Sequence, residues 1–276
     1  IAEALRDAGY ATGIFGKWHL GDCYPMRAMD QGFQESLVIR GGGIGQPSDP
    51  VGGEGKYTDP VLSHNGQLEP QKGYCTDVYF DAAIKWIEGT VKQKQPFFVY
   101  LPTNAPHDPV NDVPQKLYEQ YKAMDLSASL LKKDGGKPSE KELDHLARVF
   151  AMISNIDENV GKLMAGLGNL GIADDTIVIF LTDNGPAGRR YVGPFRGTKA
   201  DVHEGGVRTL FIVHWPARLK AAHTSDRIAA HIDIMPTLLE ACGAPVPKGV
   251  KLDGRSILPL LEGRQVDWSY RTLFIQ

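Results

Sequence analysis

Two runs of apolar residues stand out in the hydrophobic pattern of the chain. Residues 96–101 and 176–181 show no alternation of polar and apolar positions, which predicts strands buried on both faces. Shorter strands are predicted over residues 11–15 and 209–214. Polar or glycine-rich loops follow each run, and such loops carry the chemistry of many α/β enzymes.

Four other segments repeat apolar residues at helical spacing. They are residues 1–8, a segment from Thr76 or Asp77 to Glu88, a long segment from Ser139 to about Leu170, and a segment capped by Asp233 that reaches Cys242. Ser139 and Glu142 have the spacing of a capping box. Helices alternating with strands predict an α/β fold with a mostly parallel central sheet flanked by helices.

Two longer segments carry no regular pattern. Residues 22–75 are rich in glycine and proline and are predicted to be a loop that forms a lid or a wall for a substrate. Within them, Asn65 and Gly66 have the sequence of a two-residue hairpin turn. Residues 111–138 are polar and are predicted to be peripheral.

Both ends of the chain are expected to be cut. No capping residue precedes the first helix, and residues 270–276 end within a predicted strand. We therefore expect residues 1–276 to form a single domain that is truncated at both ends and is an internal piece of a longer protein.

Composition excludes several classes of protein. The 276 residues are 42% hydrophobic and 23% charged, and 30 Lys and Arg against 33 Asp and Glu leave a net charge of −3. This is ordinary for a globular protein and gives no strong basic field for nucleic acid or an anionic membrane. The three cysteines, Cys23, Cys75 and Cys242, are too few and too far apart for a disulfide framework or a zinc site.

Charged and metal-capable side chains follow the predicted strands at their carboxyl ends, where parallel sheets bind ligands. These residues are Lys17, His19, His107, Asp183, Asn184 and, in the next loop, Lys199. Asp183 and Asn184 offer the hard oxygen ligands that calcium or magnesium prefers, although Asp-Asn-Gly is also an ordinary turn. Lys17 and His19, two residues apart, would point to one side of an extended backbone and could bind an oxyanion and supply a proton.

Each of the other candidates also has an ordinary structural interpretation. His107, between two prolines, could be a structural histidine, and Lys199 could belong to a basic surface turn. Glu204 and Arg208 are predicted to form a buried ion pair that braces the loop. The remaining histidines divide into a group predicted to be solvated (His64, His145 and His223) and a group predicted to serve packing or caps (His203, His214 and His231).

Taken in order, these segments resemble the sulfatases of the alkaline-phosphatase-like superfamily. The matching segments are residues 9–21, which include Gly-Lys-Trp-His-Leu-Gly, and residues 105–107, 182–185, 196–199, 204–208, 233–239 and 252–256. The resemblance implies that Asp183 and Asn184 hold calcium, with magnesium as the alternative ion. It also implies that Lys17 and Lys199 bind sulfate oxygens, that His19 lies beside the nucleophile, and that His107 binds sulfate and protonates the leaving group.

One part of the family pattern is not found. The resemblance implies a formylglycine nucleophile, made from the cysteine of a Cys-x-Pro-Ser-Arg segment that precedes the Gly-Lys-Trp-His run. Residues 23–27 fit Cys-x-Pro-x-Arg, but Cys23 follows His19 by only four residues and lies on the wrong side of Lys17 and His19. We therefore expect the formylglycine to lie outside these residues and Cys23 to remain unconverted.

The resemblance thus implies a calcium-dependent, formylglycine-type sulfatase that hydrolyses sulfate monoesters of small molecules or carbohydrates. The piece alone is expected to be inactive, and the parent protein to be periplasmic or secreted. One alternative is a phosphodiesterase or phosphonate monoester hydrolase of the same superfamily. Another is a non-catalytic protein that binds sulfated glycans.

Overall fold

The larger of two sheets has five strands in the order β4-β3-β2-β1-β5. The computed structural model describes residues 1–45, 56–130, 136–188 and 190–275. The strands are β1 (Ala11–Lys17), β2 (Glu35–Ile39), β3 (Val61–His64), β4 (Gln67–Pro70) and β5 (Phe97–Tyr100). β1 runs parallel to both β2 and β5, and β3 and β4 add an antiparallel edge. The predicted α/β fold with a parallel centre is confirmed.

Helices cover the sheet and extend beyond it. They are α1 (Ala2–Asp7), α2 (Cys75–Lys92), α3 (Gln115–Lys122), α4 (Glu140–Asn169), α5 (Glu204–Val207), α6 (Ile234–Ala241) and α7 (Leu258–Leu261). α4 begins with the predicted capping box, in which the Ser139 hydroxyl accepts a hydrogen bond from the Glu142 N–H. No described helix is both long enough and apolar enough to cross a membrane.

Both faces of the sheet centre are buried. Phe15 and Leu37 pack with α2 and α4 on one face, while Ile14 and Val38 pack on the other face with residues near the N-terminus. Adjacent residues of β1 and β2 therefore point to opposite apolar layers, which explains why these strands contain few polar positions.

The third predicted strand is only partly buried. β6 (Val178–Leu181) pairs antiparallel with β7 (Phe211–His214), and these two strands form a separate sheet. Phe180 is 37% exposed and Tyr100, in β5, is 48% exposed. The prediction of strands buried on both faces was wrong here, because every residue of β5 and β6 is at least partly exposed in the described structure.

The prediction of a loop over residues 22–75 was also wrong in part, because β2, β3, β4 and a 3-10 turn lie within it. The predicted hairpin turn is confirmed between β3 and β4. Asn65 has φ 48° and Gly66 has φ 88°, the pair of positive angles that a type I′ turn requires. Residues 46–55 lie outside the described part of the chain, so the predicted lid stays a prediction there.

Three local predictions are corrected by tertiary contacts. α3 packs against α4 with Tyr118 buried, so the region around it is not peripheral; residues 131–135 lie outside the described ranges. Neither Thr76 nor Asp77 caps α2, since the Asp77 carboxylate accepts hydrogen bonds from Asn155 and Asn159 of α4. Residues 270–275 form no strand, and Gln276 lies outside the described residues.

Asp233 precedes α6 as predicted, but its carboxylate does not cap the helix. The fully buried carboxylate forms an ion pair with Arg271 and accepts hydrogen bonds from the N–H groups of Ala230 and Arg255. The Arg255 guanidinium lies 3.7 Å from the centre of the Trp268 ring. Asp233 therefore anchors the C-terminal segment to α6.

His64 is not merely solvated, because its ring bridges two carboxylates across the sheet edge. Nε2 lies 2.7 Å from Glu35 Oε1 and Nδ1 lies 3.0 Å from Glu69 Oε2. Partial burial opposes protonation, but the hydrogen bonds to Glu35 and Glu69 outweigh it and raise the pKa of His64 above its usual value.

This raised pKa predicts a pH-dependent contribution of His64 to stability. A raised pKa stabilises the folded state fully below the unfolded value of about 6.5, and this stabilisation is lost as pH rises through the folded pKa. We expect the difference in melting temperature between the parent and His64→Ala to be largest near pH 6 and to shrink toward pH 8.5. Differential scanning calorimetry at several pH values tests this, and a difference that does not change with pH would contradict it.

Candidate functional site

Lys17 is the last residue of β1 and lies against the loop that follows β5. Its N–H donates a hydrogen bond to the Pro102 carbonyl at 2.7 Å. The preceding Gly16 has φ 146°, and a Cβ at that position would lie 2.2 Å from the same carbonyl oxygen. Glycine is therefore required where the two parallel strands end together, and this close approach brings Lys17 to the loop that carries His107.

His19 lies in the adjoining turn, beside the end of β2. Its backbone has φ 60°, and its N–H donates to the Arg40 carbonyl at 3.2 Å. The imidazole ring lies on Gly42, where an added Cβ would be 2.1 Å from His19 Cε1. The absence of a side chain at Gly42 thus creates the space for the ring, a role that the sequence did not indicate.

His107 is held in one orientation by the loop after β5. Its Nδ1 lies 2.7 Å from the Asp108 carbonyl oxygen, and since a carbonyl only accepts, Nδ1 carries a proton. The His107 carbonyl accepts from the hydroxyl of buried Tyr57, and Asn104 Oδ1 accepts from buried Tyr79. The core therefore fixes this loop, and Nε2 of His107 has no hydrogen-bond partner among the described residues, which leaves it available for a ligand.

Asp183 and Asn184 follow β6 in a turn that leaves oxygen atoms available. Asp183 Oδ1 accepts from the Asn184 N–H at 3.0 Å, and the Asn184 amide donates to the Gly185 carbonyl at 2.8 Å. Asp183 Oδ2 and Asn184 Oδ1 accept no hydrogen bond from the described residues. The turn and the potential ligands predicted from the sequence are therefore present together.

His231 supports this turn from a distant part of the chain. Its Nε2 lies 3.0 Å from the Thr182 carbonyl oxygen, one residue before Asp183. The buried Asp233 carboxylate holds the 3-10 turn that carries His231. Sequence analysis assigned His231 only to packing or caps, because nothing in the sequence shows that two segments 49 residues apart meet.

Lys199 lies on a loop that packs backbone to backbone against the same turn. Its N–H donates to the Pro186 carbonyl at 2.9 Å. A Cβ at Gly185 would lie 2.0 Å from the Gly205 carbonyl oxygen, so the two segments approach as closely as glycines allow. Glu204 and Arg208 form an exposed ion pair at 3.6 Å rather than the predicted buried one.

The backbone contacts of the described residues place the candidates in two groups. One group contains Lys17, His19 and His107, and the other contains Asp183, Asn184 and Lys199. Burial and the charge of Asp183 both raise the pKa of Tyr100, the last residue of β5. Burial lowers the pKa of Arg190, in the loop before Lys199, while the charge of Asp108 opposes this shift. The effect on Tyr100 places Asp183 near the end of β5, and no hydrogen bond or ion pair between described residues joins the two groups directly.

The oxygen ligands of the Asp183 turn are of the type that a hard cation prefers, but they are too few to complete its coordination shell. A carboxylate and an amide oxygen are suitable ligands for calcium, which takes six to eight oxygen atoms. Among the residues that the structure describes, no group of three or more histidines, cysteines and acidic residues could hold a metal. Asp183 and Asn184 can therefore supply only part of a calcium shell.

Cys23 is exposed, and its thiol lies 3.4 Å from the Asp22 carboxylate. It belongs to the turn that follows His19. We predict that this thiol is not converted to formylglycine.

Comparison with known proteins gives consistent matches. The Sulfatase family model matches residues 1–244. Human arylsulfatase A is 32% identical over 286 residues, which cover 95% of this chain and 51% of arylsulfatase A. The chain spans about half the length of the curated relatives it matches.

Two solved structures illustrate the likeness of fold. The crystal structure of Ps i-CgsB in complex with k-i-k-neocarrahexaose has a TM-score of 0.78 and 25% identity, covering 94% of this chain and 56% of that protein. The phosphonate monoester hydrolase of Agrobacterium radiobacter has a TM-score of 0.59 and 21% identity, covering 97% of this chain and 62% of that protein. The second likeness concerns the fold alone.

Proposed function

Because the chain belongs to the sulfatase family, we propose that the protein containing it hydrolyses sulfate monoesters by a calcium-dependent, formylglycine-type mechanism. The observation that carries the proposal is the orientation of His107. Its Nδ1 proton is held by the Asp108 carbonyl, so Nε2 is the atom that gives a proton to a leaving group.

The two lysines have complementary parts in this proposal. Lys17 and Lys199 bind the sulfate oxygens and stabilise their charge. The nucleophile forms a bond to sulfur as the S–O bond to the leaving group breaks. The bridging oxygen takes the electron pair of the broken bond, and the doubly protonated His107 ring gives it the Nε2 proton. His19, held on Gly42, orients the nucleophile and assists the release of sulfate.

Calcium would be held in part by Asp183 and Asn184, and would stabilise the anionic oxygens. The other ligands and the formylglycine are proposed to lie outside these 276 residues. On this proposal the 276-residue piece alone turns over no substrate. We propose a sulfated carbohydrate as substrate because Ps i-CgsB was crystallised with an oligosaccharide, and a periplasmic or secreted location for the intact protein.

Three esters with related leaving groups test the proposed reaction. We expect the intact protein to have a kcat/KM for 4-nitrophenyl sulfate at least about 100-fold above those for bis(4-nitrophenyl) phosphate and 4-nitrophenyl phenylphosphonate. A preference for either phosphorus ester would favour the phosphodiesterase or phosphonate hydrolase. No turnover of any ester, together with binding of a sulfated glycan, would favour a non-catalytic binding protein.

Mass spectrometry tests the location of the nucleophile. We expect the tryptic peptide containing Cys23 to have the mass of an unmodified thiol. An aldehyde at position 23 would contradict the proposed location, as would turnover by the 276-residue piece.

A further inference from the structure

A small pocket lies beside the candidate site, on the face of the sheet opposite α2 and α4. Its walls come from the turn after β1, from β2 and from β3. They include Trp18, Gly21, Asp22, Arg27, Arg40 and Ser63. The indole N–H of Trp18 donates to the Met26 carbonyl at 2.8 Å, so the aromatic wall has a fixed orientation. None of the roles assigned above uses this pocket.

Arg40 is the unusual member of the pocket wall. Its Nε is buried and has no hydrogen-bond partner, and no described carboxylate lies within 4.0 Å of its guanidinium. By contrast, Arg27 forms two hydrogen bonds with Asp30, at 2.7 and 2.9 Å. A buried donor without a partner costs folding free energy, so packing alone does not explain an arginine at position 40.

The electrostatics of the pocket favour a single anionic group. The charge of Arg27 is neutralised by Asp30, whereas that of Arg40 is not. Asp22 also lines the pocket, but it is exposed and forms no ion pair with Arg40 among the described residues. A planar guanidinium with unengaged N–H groups matches the oxygens of a sulfate or a carboxylate.

The backbone of the pocket wall adjoins that of the candidate site. The Arg40 carbonyl accepts from the His19 N–H at 3.2 Å, and the Ile39 carbonyl accepts from the Trp18 N–H. Trp18 and Arg40 line the pocket on the face of the sheet that carries Val38, so an oligosaccharide bound at Lys17 would reach Arg40 past the turn that carries His19.

We propose that this pocket is a subsite in which Arg40 binds a second anionic group, a sulfate or a carboxylate, on the sugar next to the one that is desulfated. The inference rests on the proposed function and narrows the class of substrate. The substrate is then an oligosaccharide with charges on neighbouring units, and Arg40 is a specificity-determining residue rather than a catalytic one.

Calorimetric titration of the intact protein in EDTA tests the subsite without turnover. The probes are tetrasaccharides of chondroitin 4-sulfate, unsulfated chondroitin and κ-carrageenan, which carry both groups, carboxylate alone and sulfate alone. For the probes whose anion Arg40 binds, we expect Arg40→Gln to raise Kd roughly 10- to 100-fold and Arg40→Lys to raise it less. A loss with κ-carrageenan and chondroitin 4-sulfate but not with unsulfated chondroitin identifies sulfate, and a loss with both chondroitins but not with κ-carrageenan identifies carboxylate.

Control variants distinguish loss of the subsite from loss of folding and from failure of the proposed reaction. Arg6→Gln removes the same charge from an exposed pair with Asp7 on α1 and should leave Kd unchanged. Because the Arg40 side chain has no hydrogen-bond or ion-pair partner among the described residues, Arg40→Gln should not lower the melting temperature. Unchanged Kd values in Arg40→Gln, or no binding of any probe by the parent, would overturn the subsite. A parent that binds the probes but hydrolyses no aryl sulfate would instead count against the proposed function.

Discussion

Replacing His107 by alanine in the intact protein should lower kcat/KM for a carbohydrate sulfate by about 10²- to 10⁴-fold, the usual contribution of a general acid. The alkoxide leaving group of a sugar is a strong base and needs a proton as the S–O bond breaks. The fall should be smaller for 4-nitrophenyl sulfate, because nitrophenolate is a stable anion. Steady-state kinetics on both esters measures the difference.

His223→Ala is the matched control for this experiment. The His223 ring contacts the Leu260 carbonyl at 2.8 Å, far along the chain from the candidate site, so the variant should keep the parental rates on both esters. Parental rates in His107→Ala would contradict the assignment of His107. An equal fall on both esters would show that His107 only binds sulfate and does not supply the proton.

Replacing Asp233 by alanine should cause the largest loss of stability, about 3–5 kcal/mol. Removing one partner of a buried ion pair leaves the other charge without compensation, and here Arg271 would lose both hydrogen bonds to the carboxylate. The Ala230 and Arg255 N–H groups would lose their acceptor too. For a chain of this size the melting temperature should fall by about 10 °C, which calorimetry measures.

The same carboxylate predicts the pH range of this effect. Burial opposes its ionisation, but the hydrogen bonds from Arg271 and the backbone hold the pKa of Asp233 below its usual value. A lowered pKa stabilises the folded state above the unfolded value of about 4, and this stabilisation is lost as pH falls through the folded pKa. The difference in stability between the parent and Asp233→Ala should therefore be largest at pH 7 and should become smaller below pH 4.

Asp7→Ala serves as the control for the loss of stability. Asp7 pairs with Arg6 on the surface, and exposed pairs contribute little because water screens them. This variant should change stability by less than about 0.5 kcal/mol. If Asp233→Ala lowers the melting temperature no more than Asp7→Ala does, the buried ion pair does not anchor the C-terminal segment.

Much of the fold was predictable because it depends on local rules. The capping box at Ser139 and the Asn65-Gly66 turn were predicted correctly, since each requires only neighbouring residues and their backbone angles. Lys17, His19 and His107 lie at or after the ends of strands of the larger sheet, whose parallel strands end at one edge as expected, whereas Asp183 and Asn184 follow β6 of the separate antiparallel sheet.

The incorrect predictions share one cause: the side chains concerned bind partners that are distant in the chain. Asp77 and Asp233 have sequences typical of helix caps, yet their carboxylates bind Asn155, Asn159 and Arg271 instead. His64 reads as a solvated residue until β2, β3 and β4 bring Glu35 and Glu69 to its ring.

The sequence alone therefore determined the α/β class, the sulfatase motifs and the chemical types of the candidate residues, because residue type and spacing are local properties. Only the tertiary structure decided which atoms are available. The Asp108 carbonyl selects Nε2 of His107, and Gly42 makes room for the His19 ring. The Nε of Arg40 is left beside Trp18 with no hydrogen-bond partner among the described residues. Hydrogen-bond partners and close approaches are set by how distant segments pack, and no local pattern encodes that packing.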